Sequence, residues 1–130
     1  MKEKIDALKE TFLLLPEWAD RYNYLVELGE SLPAMPVAFQ VLENRLACNS
    51  MLYFYVCYIQ DVCYIFASAN AAIPAGLAAM LFNFCDGVPR KDIRDNMPYL
   101  LAVLKELGLI DNLTLSRRLA LLEMIKKLSN

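Results

Sequence analysis

The runs MLYFYVCYI at residues 51–59 and VCYIFAS at 62–68, separated by the pair Gln60-Asp61, decide the fold. Both concentrate aromatic and β-branched side chains, which suit a pleated, half-buried surface. A two-residue break between two such runs predicts a β-hairpin. Downstream, AAIPAGLAAMLFNFC at 71–85 is apolar on nearly all sides. It is expected to be the central buried helix, capped by Asn70, with Pro74 tolerated in its first turn and Asp86-Gly87 as the stop.

Helical periodicity flanks the hairpin on both sides. Ile5, Leu8, Phe12 and Leu15 recur at steps of three and four, and Pro16 ends that helix. Trp18, Tyr22, Leu25 and Leu28 repeat the spacing, with Gly29 where a C-terminal cap would fall. Pro33 and Pro36 bracket an irregular stretch, and VAFQVLEN then leads as a brief helical or coil segment toward Cys48. Beyond the buried helix, Pro89 opens a short helical turn, PRKDIRDN. Pro98 opens a separate helix, PYLLAVLKELG, closed by Gly108. A last helix begins near Thr114 or Ser116 and is expected to turn Leu119, Leu122, Met124 and Ile125 inward. Helices, then strands, then helices, without a βα repeat, predict an α+β fold in which helices cover a small antiparallel sheet. The 130 residues fit one domain, 1–130.

Composition closes off several functions. The net charge of −2 offers no general attraction to phosphate backbones, so nucleic acid is not an expected partner. There is no histidine, which removes a Ser-His-Asp triad, a Cys-His dyad and the usual zinc-hydroxide site. Four cysteines, at 48, 57, 63 and 85, form no CxxC pair and no metal-site spacing, so neither a metal nor a cofactor is expected. The opening MKEKIDALKE mixes charges and lacks the apolar stretch of a secretion signal. A cytoplasmic location is expected, with all four thiols reduced.

Asp61 is the single charged residue between Leu46 and Cys85, which invites a membrane reading. A membrane helix needs about 20 predominantly apolar residues. The first run is cut at Gln60-Asp61 and the second is interrupted by Asn70 and Pro74, so core elements are the better reading and no membrane is expected.

Cys48 lies in LACNS, where Asn49-Ser50 separates it from the first strand, so it is expected on a loop. Cys57, Cys63 and Cys85 sit inside apolar stretches, where cysteine behaves as a small hydrophobe, and all three are expected in the core.

WADRYNYLVELGESLPAMP at 18–36, ENR at 43–45, Cys48 with Ser50, Gly76-Leu77, Asp86-Gly87, LGL at 107–109 and LTLSR at 113–117 together resemble the SufE family of sulfur acceptors. The likeness runs through nearly the whole chain in order. It implies an α+β domain that docks a pyridoxal-phosphate cysteine desulfurase and takes its sulfane sulfur onto one cysteine. Delivery for iron-sulfur cluster assembly follows, the receiver being an iron-sulfur scaffold complex or another sulfur pathway. Cys48 matches that cysteine, at a loop tip that family members tuck in or swing out, and Arg117 matches an arginine near the loop.

Sulfur relay is thiolate attack on a persulfide, which asks neither metal nor histidine of the acceptor. A cation or loop amides would raise the thiolate fraction. Arg45 and Arg117 are the candidate cations, and Asn49 and Ser50 the loop residues beside the thiol.

The chain departs from the family pattern at several points. Gly-Cys-Gln-Ser is here Ala47-Cys48-Asn49-Ser50. Asn70 replaces an aspartate, Ala75 a lysine, Leu119-Ala120 an Asn-Gly and Tyr53 a tryptophan. Alanine lacks glycine's freedom at positive φ, which bears on loop mobility. The competing reading is a SufE-like interaction domain that has lost sulfur transfer.

Overall fold

The computed structural model describes residues 1–130. Helices α1 (Lys2–Leu13) and α2 (Trp18–Glu30) precede two short 3-10 turns, Val37–Phe39 and Leu42–Asn44. Strands β1 (Leu52–Ile59) and β2 (Val62–Ala69) follow, then α3 (Ala72–Cys85), α4 (Arg90–Glu106) and α5 (Leu115–Leu128). The α+β expectation stands: five helices and one two-stranded antiparallel sheet.

The hairpin is in register from Leu52 opposite Ala69 to Ile59 opposite Val62. Gln60 and Asp61 turn it with φ of 50° and 60°, the left-handed pair that matches the twist of the strands. Alternation then sends Leu52 and Phe54, with Cys63, Ile65 and Ala67, into the core. An isolated two-stranded hairpin is marginal in water, so its inner face needs the backing that α3 provides. Phe39 covers part of the outer face, its ring 5.0 Å from those of Tyr55 and Phe66. Cys63 and Cys85 are buried as expected, but Cys57 is not. An odd-numbered β1 position, it falls on the outer face opposite Tyr64 and is half-buried.

Four local expectations need correction, each for a packing reason. Gly29 is no cap, since α2 continues to Glu30 and Ser31 closes it in a right-handed conformation. Gly29 instead meets Gly76: a Cβ on either glycine would strike the facing helix backbone, at 2.8 Å and 2.2 Å. Asn70 does not cap α3. Ala71 holds the cap position, while the Asn70 side chain accepts the Met51 N–H at 2.9 Å.

The third correction concerns α4, which is one helix running through Pro98. Interior proline costs about 3 kcal/mol. The buried face formed by Ile93, Met97, Leu100, Val103 and Leu104 continues across it, and each such side chain stabilises by about 1.5–3 kcal/mol when fully buried. Burial outweighs the break.

The fourth lies in α5. Ala120, Leu121, Met124, Ile125 and Leu128 point inward, whereas Leu119 and Leu122 are 53% and 39% exposed.

Arginines stitch the layers. Arg21 donates to the carbonyls of Phe12, Leu15 and Leu107, and Arg118 to those of Ile110 and Leu113. No helix is long and apolar enough to cross a membrane.

Candidate functional site

Cys48 rides a short loop whose base is closed like a miniature hairpin. Leu46 N–H donates to Leu52 O at 2.9 Å, and Arg45 bridges Tyr53 across it. On the far side Asn70 holds both backbone groups of Met51, accepting its N–H and donating to its carbonyl. Between these anchors, residues 47–50 form the tip. Positive φ among non-glycine residues is confined to Gln60 and Asp61, so Ala47 takes ordinary backbone angles and the loop closes without a glycine there.

The Cys48 thiol is half-buried and faces the start of α5. Ser50 Oγ lies 3.4 Å from Cys48 Sγ, and Ser116 Oγ donates to the same sulfur at 3.6 Å. Ser116 Oγ also accepts the Asn49 N–H at 3.0 Å. These groups open onto a pocket of about 280 Å³, walled by Ala71 and Pro74 of the α3 start and by Thr114 and Arg117 of the α5 start.

Environment separates the thiols. Burial pushes Cys48 up, but hydrogen bonds from the Ser50 hydroxyl and amide, the Ser116 hydroxyl and the Asn49 amide more than offset it. The net result is a thiol held below the ordinary cysteine range. Cys63 is pushed up to about 11 and Cys85 to about 12, both chiefly by burial, so neither offers thiolate near neutrality.

Of the candidate residues, Cys48, Asn49, Ser50 and Arg117 come together at this pocket. The guanidinium of Arg117 makes no hydrogen bond or ion pair within the chain, unlike that of its neighbour Arg118. Arg45 is exposed at the loop base and does not line the pocket. The donors that lower the thiol are hydroxyls and amides, not either arginine.

Sequence reasoning missed Ser116, although the LTLSR motif contains it. Nothing local signals that a hydroxyl 68 residues downstream meets Cys48. A second hollow of about 300 Å³, between α1, α2 and α3, contains no thiol.

Residues 6–130 match the family model described as the Fe-S metabolism associated domain, SufE. The sulfur acceptor protein CsdE of Escherichia coli is 30% identical over 114 residues, covering 86% of this chain and 76% of CsdE. An uncharacterized SufE-like protein of Rhizobium meliloti is 28% identical over 131 residues, covering 97% of this chain and 92% of the relative. In fold, the solution structure of a hypothetical protein from Thermus thermophilus superposes with a TM-score of 0.69 at 19% identity, across 96% of this chain and 93% of that one. With the family model spanning all but the first five residues, the chain belongs to the SufE family.

Proposed function

We propose that the chain accepts sulfane sulfur on Cys48 from the persulfide of a pyridoxal-phosphate cysteine desulfurase and passes it on for iron-sulfur cluster assembly. In this reading it speeds the desulfurase by clearing its sulfur. Cytoplasm is the fitting compartment, since thiols there are kept reduced. The observation that carries the proposal is the contrast among thiols. Cys48 is reachable at a pocket and held toward the thiolate, whereas Cys63 and Cys85 are shut in the core. The family match and the likeness to CsdE, named as a sulfur acceptor, support the same direction.

The step balances without an external oxidant. The Cys48 thiolate attacks the outer sulfur of the donor persulfide, a new S–S bond forms on Cys48, and the donor's S–S bond breaks. The donor cysteine leaves as thiolate, and the proton stays on the transferred sulfur or passes to solvent. Onward delivery repeats the exchange with a receiving thiol. Arg117, free in the pocket, supplies positive charge beside two sulfurs that both carry negative charge during the exchange.

The test is to incubate the protein with a cysteine desulfurase and free cysteine and read the intact mass. The expected product gains one sulfur atom, located on Cys48 by peptide mapping. Cys48→Ser should gain none while keeping its unfolding midpoint. Loading that persists on Cys57, Cys63 or Cys85 in that variant overturns the assignment.

A further inference from the structure

Every hydrogen bond that joins residues 47–50 to the rest of the fold ends on one atom, Ser116 Oγ. That oxygen accepts from the Asn49 N–H at 3.0 Å and donates to Cys48 Sγ at 3.6 Å, so its one proton and a lone pair are both committed to the loop. The start of α5 does not need this hydroxyl. Thr114 is the cap, and its side chain accepts the Arg117 N–H at 3.4 Å. Ser116 is therefore spare as a helix former and occupied as a loop partner.

We infer that Ser116 is a positioning residue for Cys48, a single hydroxyl that docks the loop tip onto α5 and favours the thiolate in the same contact. The inference rests on Cys48 being the working thiol, but it adds a residue and a coupling to that reading. A hydroxyl donates more strongly to a thiolate than to a thiol. Docking therefore favours ionisation, and by linkage ionisation favours docking.

Few charges compete in this pocket. The loop contributes none besides Cys48, the start of α3 contributes the uncharged Ala71 and Pro74, and the start of α5 contributes the guanidinium of Arg117. Arg45 stands outside at the loop base. A pH profile at Cys48 therefore reports Cys48.

The experiment measures the rate of iodoacetamide alkylation at Cys48 against pH, read by peptide mass spectrometry so that Cys57 is counted separately. It compares the wild type, Ser116→Ala and Ser116→Thr, with no desulfurase present. In Ser116→Ala the midpoint should move to higher pH. The neutral-pH thiolate fraction should fall about threefold or more, near the low end of what one ordinary hydrogen bond contributes net. The high-pH plateau rate, which reports access alone, should rise as the tip is freed. Ser116→Thr keeps the hydroxyl and should restore both. A hydroxyl that serves only the helix start would lower the unfolding midpoint and leave the alkylation profile in place, and that result overturns the inference, as does a Thr variant no better than Ala. Sulfur loading of the wild type is scored separately. A chain that fails to load but shows the profile shift loses the proposed function and keeps this coupling, whereas one that loads with no shift does the reverse.

Discussion

A Cβ placed on Gly76 would lie 2.2 Å from the backbone carbonyl oxygen of Leu25. No side chain fits at that separation, and the obstacle is backbone, so relief requires α2 and α3 to move apart. This is also the most extensive helix contact in the fold. Gly76→Ala should cost about 3 kcal/mol or more, at or beyond the upper range for overpacking. Gly87→Ala, at φ +76° with open space around it, should cost only the left-handed strain of about 1–2 kcal/mol. Urea unfolding of the two variants checks the ranking, and a Gly76→Ala protein as stable as Gly87→Ala would contradict it.

The orientation of α5 gives a second ranking. Leu121 is fully buried and Leu122 is 39% exposed. Leu121→Ala should cost about 2–5 kcal/mol through lost burial and a cavity. Leu122→Ala should stay within about 0.5 kcal/mol, as surface changes usually do. Denaturant midpoints that reverse this order would return Leu122 to the core side that periodicity alone suggests.

These two cases mark what a sequence can and cannot tell. The hairpin is legible because aromatic and β-branched runs around a two-residue break admit few other structures, and α3 because fourteen mostly apolar residues need burial on every side. Gly29 misleads because a glycine near a helix end signals a cap as readily as a close helix crossing. Which it serves depends on Gly76, 47 positions away. Pro98 suggests a helix start because proline favours that position, and only the continuous buried stripe from Ile93 to Leu104 reveals the helix passing through it. In α5 both stripes are leucine-rich, so periodicity cannot choose between them without the neighbouring layers. At the site, Cys48 stands out through its polar flank, whereas Ser116 becomes visible only when α5 and the loop meet.

The buried thiols make stability sensitive to alkali. Both Cys63 and Cys85 have raised folded values, about 11 and about 12 against an ordinary 9.0, because burial disfavours the thiolate. As pH rises past the unfolded value, the unfolded chain releases these protons first. It then holds fewer protons than the native chain, and stability falls with pH. The stability is fully present below about pH 9 and should drain away toward pH 11–12. Tyr58, pushed up from 10.0 to about 12 mainly by burial, acts in the same direction. Urea midpoints measured across this range should decline in the wild type and decline less steeply in Cys85→Ala. Parallel curves for the two proteins would remove Cys85 from the explanation.

Arg117 and Arg45 are equal candidates in the sequence for the cation that serves the sulfur, and geometry separates them. Arg117 lines the pocket with its guanidinium unpaired, while Arg45 lies at the loop base outside it. Thiolate attack on a persulfide brings two anionic sulfurs together, and a cation a few ångströms away offsets part of that repulsion. At about 4 Å near a protein surface a unit-charge pair is worth up to about 4 kcal/mol before salt screening. Arg117→Ala should therefore slow sulfur loading of Cys48 on the order of tenfold, a loss of about 1.4 kcal/mol. Added salt should narrow the difference. Because that side chain holds nothing else in the fold, the unfolding midpoint should not move. Arg45→Ala should leave the loading rate near wild type. Single-turnover loading followed by mass spectrometry reads all three proteins, and a slow Arg45→Ala beside an unaffected Arg117→Ala would move the supporting charge from the pocket to the loop base.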